Sequence, residues 1–298
     1  MTPTPHAADS PAPNGLPAGT DAPTAGTRIG PYRLEEELGE GAVGRVFRAV
    51  RDGDEDPVAL KLLKPEAVAD AEVSRRFAHE LRHAAAVRDR HLVGLLDHGE
   101  FEGRPYLVLP YMPGGSLAER IERDGPLPVR EVVRTAAAVG RGLGALHAAG
   151  IVHRDVKTAN VLLDGHGRAL LGDLGLAKGS GDSRLTVVGR VVGTVEYLSP
   201  ESLHTGEAGP PADVYALGCV VYACITGRTP FAGRSFFDLA GAHLDEDPAD
   251  PSSVRDDLPD GFAEATLTAL VKDPARRPSA SAYAGMLQVV ADDTQESR

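Results

Sequence analysis

The sequence predicts an α+β fold in two lobes, a strand-rich first part and a helix-rich second part, with a cleft between them. Short apolar runs separated by turns occupy the chain from Ile29 to about residue 110. Long segments with helical spacing follow, the clearest of them at 129–150 and 213–227. A turn-rich break, MPGGS at 112–116, separates the two parts and indicates where the cleft lies.

The first part contains five predicted strands and one predicted helix. Residues 71–89 predict the helix, because apolar side chains recur there every three or four positions. The strands alternate or are continuously apolar, and turn residues bound them. In chain order they are YRLEEELG at 32–39, GRVFRAVR at 44–51, DPVALKLL at 56–63, HLVGLLDHGEF at 91–101 and RPYLVLPYM at 104–112.

The second part is predicted to be mostly helical. Residues 129–150 form a helix that is rich in small residues and ends at Gly150. The run at 213–227 is apolar nearly all round, which indicates a helix buried within a domain. The last third alternates helical patterns with proline-rich connections.

Both ends of the chain are predicted to lie outside the folded domain. Residues 1–27 are rich in Pro, Ala, Gly and Thr and cannot bury a core, so we expect a disordered tail. Residues 291–298 are expected to form a solvated C-terminal tail. The folded domain between them divides into a first lobe at about 28–109, a connecting segment at 110–115 and a second lobe at 116–290.

Composition argues against several classes of function. The formal net charge of −12 disfavours non-specific nucleic-acid binding and attraction to an anionic membrane surface. No run of about 18 apolar residues occurs, so no membrane span is predicted, and the first residues lack the features of a signal peptide. Cys219 and Cys224 lie in an apolar run and are predicted to be buried free thiols, which indicates a reducing, cytoplasmic setting.

A glycine-rich stretch, GEGAVGRV at 39–46, is the first candidate site. The pattern alone leaves open a plain glycine turn, a Rossmann loop and a loop that covers phosphates. A Rossmann loop should run into a helix, whereas this stretch continues into a strand through the β-branched Val46. We therefore favour a loop between two strands whose backbone approaches phosphate groups.

Lys61 closes the apolar segment VALK and is the second candidate. A lysine in this strand directs its charge toward the cleft, although a snorkelling surface residue would give the same pattern. Glu80, on the following predicted helix, is its expected partner. A buried ammonium needs a counter-charge, and such a pair can position the lysine toward phosphate oxygens.

The most specific stretch is HRDVKTAN at 153–160. The motifs that follow it are DLG at 173–175, GT at 193–194, SPE at 199–201 and DVYALG at 213–218. Their order and spacing resemble the protein kinase family, and most of all the bacterial eukaryotic-like (Hanks-type) Ser/Thr kinases, over about residues 29–290. The resemblance implies a bilobal protein-kinase-like fold, with a β-rich N-lobe, a helical C-lobe, ATP in the cleft and phosphoryl transfer to a protein hydroxyl.

The resemblance also implies catalytic roles. Asp155 would be the catalytic base, which accepts the proton of the hydroxyl or aligns it. Asn160 and Asp173 would hold two Mg²⁺ ions, with Mn²⁺ as an alternative, because hard cations prefer oxygen ligands. Lys61, braced by Glu80, would contact the α and β phosphates of ATP.

The same resemblance predicts the nucleotide pocket. Leu109 would be the gatekeeper, and the carbonyl of Pro110 and the amide of Met112 would bind adenine in the hinge. Proline lacks an amide hydrogen but can supply a carbonyl. The residues expected to bind ATP are Gly39, Glu40, Gly41, Ala42, Val43, Gly44, Val46, Ala59, Lys61, Leu109, Pro110, Met112 and Leu162.

Two residues favour serine and threonine as acceptors. In Ser/Thr members of the family, a lysine at the position of Lys157 faces the γ-phosphate, where a fixed cation stabilises the charge of the transition state. Thr194 resembles the threonine that supports the catalytic aspartate and lysine. Leu174 replaces the phenylalanine usual in the family, which keeps an apolar plug and leaves its effect on activity open.

Regulation by phosphorylation is a further expectation. Thr186 is the first candidate phosphosite and Ser183 the second, because Arg154 beside Asp155 offers a phosphate a charge-assisted partner. An unmodified exposed hydroxyl is the alternative. A transient homodimer would support autophosphorylation in this segment.

Two more contacts are expected to be structural. Glu201 should pair with Arg277, and Asp213 should hold the backbone of the catalytic loop. Two alternatives to a protein kinase remain at this point: a pseudokinase that binds nucleotide and partner proteins without turnover, and a small-molecule phosphotransferase of related fold.

Overall fold

Strands occupy the first part of the chain and helices the second. The computed structural model describes residues 23–41, 44–68, 81, 87–173 and 195–296. In chain order the elements are β1 (Arg28–Ile29), β2 (Tyr32–Glu40), β3 (Gly44–Arg51), β4 (Pro57–Leu63), α1 (Pro65–Val68), β5 (Asp97–Phe101), β6 (Arg104–Pro110), α2 (Leu117–Asp124), α3 (Val129–Ala148), β7 (Val161–Leu163), β8 (Ala169–Leu171), α4 (Pro200–Thr205), α5 (Pro210–Thr226), α6 (Phe236–Asp245), α7 (Phe262–Leu267) and α8 (Ala280–Glu296).

In the described part of the N-lobe, six strands form one antiparallel sheet in the order β1-β2-β3-β4-β6-β5. Its alternating pattern divides the side chains between two faces. Phe47 and Leu60 pair across β3 and β4 on the buried face, which carries the core of this lobe. Val46 and Lys61 are the next pair along the same ladder and therefore lie on the opposite face.

The predicted strand at 91–101 is shorter than expected, since only Asp97–Phe101 joins the sheet. Leu92 and Val93 are buried and belong to the second lobe instead. The amide of Val93 donates to the carbonyl of Leu171 at 2.9 Å, and Leu92 forms an isolated parallel bridge with Leu171. The apolar run is continuous in the sequence, but its first residues bond to the C-lobe and its last residues join the N-lobe sheet.

The C-lobe core is formed by α3, α5 and α8 with the β7–β8 hairpin. The predicted helices are present, as Val129–Ala148 and Pro210–Thr226. Cys219 and Cys224 on α5 are buried free cysteines, as predicted, and burial raises the pKa of both thiols, that of Cys224 to about 12. Gly227 ends α5 in the left-handed conformation, with φ 82°.

The connection between the lobes is a turn followed by a capped helix. The amide of Gly115 donates to the carbonyl of Met112 at 3.1 Å. Ser116 then caps α2: its hydroxyl accepts from the amide of Glu119 at 3.2 Å, and the Glu119 carboxylate accepts from the amide of Ser116 at 2.7 Å. This reciprocal pair fixes the residue at which the first helix of the C-lobe begins.

The folded part extends beyond both predicted boundaries. At the start, the amide of Gly26 donates to the carbonyl of Leu34 at 2.8 Å, so the expected tail ends before residue 27. At the end, α8 continues through Glu296, six residues into the segment expected to be a tail. Ala291 is buried against the C-lobe core, which gives that last turn an apolar contact. None of the described helices has the length and apolar character needed to cross a bilayer.

Candidate active site

The catalytic loop brings three of the predicted residues into contact. Nζ of Lys157 donates to Oδ2 of Asp155 at 2.9 Å. Nδ2 of Asn160 donates to the same oxygen at 2.9 Å and to the backbone carbonyl of Asp155 at 2.7 Å. All three side chains are largely buried. The carboxylate is therefore held by a cation and an amide, and the amide of Asn160 directs its oxygen away from Asp155.

Asp213 holds the backbone of this loop, as the sequence predicted. Its carboxylate accepts from the amide of His153 at 2.8 Å and from the amide of Arg154 at 2.9 Å. Nε2 of His147 contacts the same carboxylate at 2.8 Å. Arg154 has a φ of 64°, which is unfavourable for a residue with a side chain. The buried Asp213 therefore stabilises a strained turn directly before Asp155.

His153 links the catalytic loop to the segment that carries Asp173. Burial lowers the pKa of His153, against the opposing charge of Asp213, and the ring is neutral near pH 7. Its Nδ1 accepts from the amide of Asp155 at 3.3 Å, so its Nε2 carries the hydrogen and donates to the carbonyl of Gly172 at 3.1 Å. The sequence analysis assigned no role to His153. Its position as the first residue of the HRDVKTAN motif was the signal that could have identified it.

Asp173 joins the two lobes. It follows β8 with a φ of 52°, and its carboxylate forms an ion pair with Nζ of Lys61 in β4 of the N-lobe. The side chain of Asp173 is 48% exposed and that of Lys61 only 17%, so the cation projects from the sheet toward a carboxylate at the open cleft. The amide of Gly172 donates to the carbonyl of Asn160 at 2.8 Å, which fixes Asp173 beside the catalytic loop.

Most of the residues predicted to line the nucleotide pocket lie on neighbouring strands. Ala59 in β4 pairs with Leu109 in β6. Both lie on the face of the sheet that carries Lys61 and is turned toward the cleft. Val46 pairs with Lys61 across β3 and β4. Leu162 lies in β7 of the C-lobe, next to the connection, and forms a bridge with Ser116.

The glycine-rich loop is closed at its base. The amide of Gly41 donates to the carbonyl of Gly44 at 2.8 Å, and Gly39 lies opposite Val46 in the β2–β3 ladder. A Cβ on Gly44 would lie 2.6 Å from the carbonyl oxygen of Leu62, so this glycine is required by the close approach of β4. Glu40 forms an ion pair with Lys64.

The hinge is fixed against β7. The amide of Gly114 donates to the carbonyl of Leu163 at 3.0 Å, and the amide of Leu163 donates to the carbonyl of Gly115 at 2.8 Å. Pro110 ends β6 opposite Val58. These bonds place the segment that contains Met112 directly beside the strand of Leu162.

Seven residues that the sequence singled out lie outside the described residues. The expected partnership of Lys61 with Glu80 and the expected support of Asp155 by Thr194 therefore stay predictions, as do the candidate phosphosites. The seven are Ala42, Val43, Glu80, Leu174, Ser183, Thr186 and Thr194.

The segment after residue 194 is anchored at two points. Glu201 forms two hydrogen bonds with the guanidinium of Arg277, at 2.7 and 2.8 Å, as the sequence predicted. The hydroxyl of Tyr197 contacts Oγ1 of Thr158 in the catalytic loop at 2.8 Å. Sequence reasoning missed this second contact, because nothing in the spacing of residues 158 and 197 predicts that their side chains meet.

Comparisons with known proteins agree with this geometry. A family model described as the protein kinase domain matches residues 32–287. Serine/threonine-protein kinase PknE of Mycobacterium tuberculosis is 37% identical over 259 residues, which cover 87% of this chain and 46% of PknE. PknL of the same organism is 36% identical over 263 residues, which cover 88% of this chain and 66% of PknL.

A solved structure supports the fold in the same way. The kinase domain of M. tuberculosis PknI superposes with a TM-score of 0.72 at 29% identity, covering 91% of this chain and all of that domain. This chain spans about half the length of PknE and about two thirds of the length of PknL. The chain belongs to the protein kinase family, in its bacterial Hanks-type Ser/Thr branch.

Proposed function

We propose that this chain transfers the γ-phosphoryl group of ATP to serine and threonine hydroxyls of proteins, with Mg²⁺ as the metal and Mn²⁺ as an alternative. One observation carries the proposal. Lys61 of the N-lobe pairs with Asp173, whose segment is hydrogen-bonded to the loop that holds Asp155. Charges from both lobes therefore converge at one cleft, where phosphoryl transfer needs them.

Asp155 is the residue that we assign to the acceptor hydroxyl. Lys157 and Asn160 both donate to its Oδ2, and two donors stabilise the ionised form of a carboxylate. An ionised and fixed carboxylate aligns the hydroxyl and accepts its proton as the bond to phosphorus forms.

Asn160 and Asp173 fit the metal that the family implies. They offer an amide oxygen and a carboxylate, which are ligands that a hard cation prefers. Because both hydrogens of the Asn160 amide are used on Asp155, its oxygen is oriented for a metal. When bound, the metal neutralises phosphate charge and orients the triphosphate.

Two lysines supply the remaining positive charge. Lys61 would hold the α and β phosphates from the N-lobe side, and Lys157 would stabilise the γ-phosphoryl group from the C-lobe side. The side chain of Lys157 is 23% exposed while its ammonium contacts Asp155. A lysine at this position supports Ser/Thr acceptors.

The adenine would lie between apolar side chains of both lobes. Val46 and Ala59 would cover it from the N-lobe sheet, Leu162 would cover it from the C-lobe, and Leu109 would lie behind it; strand pairing that puts Val46, Ala59 and Leu109 on neighbouring strands supports this assignment. The Pro110 carbonyl and the Met112 amide would supply the acceptor and the donor that orient the base. The glycine-rich loop at 39–44 would cover the phosphates.

Label transfer from γ-labelled ATP with Mg²⁺ tests the proposal. Wild type should label itself or a generic protein acceptor, and Asp155→Asn should reduce the rate by about a thousandfold, since loss of a central catalytic group has effects of this order. Asp260→Asn, at an exposed carboxylate far along the chain, is the control and should match wild type.

Equal labelling by wild type and Asp155→Asn would overturn the proposed transfer. Nucleotide-dependent thermal stabilisation without any labelling would favour the pseudokinase alternative. Labelling of a small-molecule acceptor in place of protein would favour a phosphotransferase of related fold.

Autophosphorylation and location extend the proposal. We expect the label in wild type at Thr186 or Ser183, transferred within a transient homodimer, and mass spectrometry of the labelled protein locates it. Full activity with residues 180–194 unmodified would remove this part of the proposal.

The buried free thiols of Cys219 and Cys224 support a reducing, cytoplasmic setting.

A further inference from the structure

The hydroxyl groups of Tyr197 and Thr158 lie 2.8 Å apart, 39 positions apart in the sequence. Thr158 is buried, and the ring of Tyr197 packs against two apolar clusters of the C-lobe. Burial raises the pKa of Tyr197 to about 12, so its hydroxyl keeps its hydrogen at neutral pH. The contact is therefore a hydrogen bond between two neutral groups in a largely dry environment, where leaving either partner unsatisfied is costly.

Thr158 lies between two residues of the candidate site. It begins the 3-10 turn Thr158–Asn160, directly after Lys157. The amide of Asn160 donates to the carbonyl of Lys157 at 3.0 Å, so the backbone of all three residues forms one tight turn. Thr158 is therefore joined through this turn to both residues that donate to the Asp155 carboxylate.

Tyr197 belongs to a short segment that is fixed in the C-lobe. Val195 is buried in an apolar cluster shared with α6. Ser199 caps α4, and Glu201 in that helix is held by Arg277. The Tyr197 side chain therefore extends from an anchored segment to the catalytic loop.

We propose that the hydrogen bond between Tyr197 and Thr158 positions the catalytic loop, so that Lys157 and Asn160 are aligned only while the segment at 195–198 is in place. Both residues are positioning residues, because they act through Lys157 and Asn160. This inference rests on the proposed kinase function and assigns two residues that set its turnover.

A double-mutant cycle with Thr158→Val and Tyr197→Phe tests the proposal. Each variant removes one hydroxyl and keeps the shape of the side chain. We expect kcat to fall about fivefold to tenfold in each single variant, as for loss of one buried hydrogen bond, with KM for ATP unchanged. The double variant should lose no more than either single variant, because both remove the same interaction. Thr158→Ser restores a hydroxyl and should recover most of the activity.

Tyr283→Phe is the matched control. Its hydroxyl donates to the carbonyl of Thr266 at 3.1 Å in the C-lobe core, so the variant also removes one buried phenol hydrogen bond. We expect it to lower the melting temperature as much as Tyr197→Phe does and to leave kcat unchanged.

The outcomes separate this proposal from the proposed function. Inactive wild-type protein would count against the kinase proposal itself. Active wild type with unchanged kcat in Thr158→Val and Tyr197→Phe would overturn the positioning role. Additive losses in the double variant would overturn it too, as would an equal loss of kcat in Tyr283→Phe, which would mark a general effect of stability.

Discussion

At the scale of single residues, the candidate site depends on buried polar groups whose hydrogen bonds are made by specific partners. Asp213 accepts from two loop amides and a histidine, and it thereby stabilises the positive φ of Arg154. Neutral His153 donates on one side and accepts on the other. Since an unsatisfied buried polar group costs about 1–3 kcal/mol, each contact restricts the loop to one geometry.

A second buried histidine predicts how stability depends on pH. His243 on α6 contacts the hydroxyl of Tyr215 through Nδ1 at 2.8 Å, and burial together with the charge of Lys272 lowers its pKa to about 4. The unfolded chain takes up a proton at this residue near pH 6.5, but the folded chain does not. The unfolded state then binds more protons, so the folded state loses stability as the pH falls from 6.5 toward 4.

Between pH 7.5 and 5 this histidine should account for a loss of about 2 kcal/mol in the free energy of unfolding. His243→Asn keeps an acceptor for Tyr215 and does not titrate. The free energy of unfolding of this variant should therefore fall by about 2 kcal/mol less than that of wild type over the same pH range. Urea unfolding of both proteins at each pH measures the difference. His204→Asn, at an exposed histidine, should run parallel to wild type. Parallel curves for His243→Asn would show that His243 titrates normally.

At the scale of elements, small residues decide how closely the helices of the C-lobe approach. A Cβ on Gly140 of α3 would lie 2.8 Å from the carbonyl oxygen of Ala280 and 2.9 Å from Cβ of Ala284, both on α8. The backbone of α3 at Gly140 therefore lies directly against the backbone and one side chain of α8. The helix gains nothing from glycine locally, since alanine is the better helix former by about 1 kcal/mol.

Gly140→Ala should therefore destabilise the protein by about 1–2 kcal/mol, because the cost of overpacking exceeds the gain in helix propensity. Gly285→Ala on α8 is the matched control, since nothing lies within 4 Å of a Cβ at that position. It should stabilise the protein by up to about 1 kcal/mol. Thermal unfolding of the two variants measures whether each substitution stabilises or destabilises the protein. A stabilised Gly140→Ala variant would show that α3 and α8 can move apart at no cost.

At the scale of the whole molecule, three connections between the two lobes are found among the described residues. They are the ion pair of Lys61 with Asp173, the hinge held along β7, and the hydrogen bonds of residues 91–93 with Leu171. The ion pair is half exposed on the side of Asp173, so it contributes little to stability, about 0–1 kcal/mol. Its value lies in placing a cation at the cleft.

Lys61→Met should therefore separate activity from stability. We expect phosphoryl transfer to fall at least about a hundredfold, because a preorganised charge is lost. The free energy of unfolding should change by less than about 1 kcal/mol, since methionine retains most of the buried stem. Labelled ATP and urea unfolding measure the two quantities, and Arg28→Met at an exposed position of the same sheet is the control. A large loss of stability would mean that the ion pair holds the lobes together.

Much of the whole molecule follows from local signals in the sequence. Turns and periodicity predicted strands β2, β3, β4 and β6 and the helices α3 and α5, because these features depend on residues close in the chain. The order of motifs from the glycine-rich loop to DVYALG predicted the family. It also predicted two long-range structural contacts, Glu201 with Arg277 and Asp213 with the catalytic loop.

The tertiary structure alone decided the rest. Lys61 and Asp173 are 112 positions apart, Thr158 and Tyr197 are 39 apart, and their contacts follow from how the lobes and loops pack. Packing also assigned residues 91–93 to the C-lobe and continued α8 to Glu296. The physical reason is the same in each case: periodicity and turn chemistry are local, whereas hydrogen-bond partners and buried contacts exist only once distant segments meet.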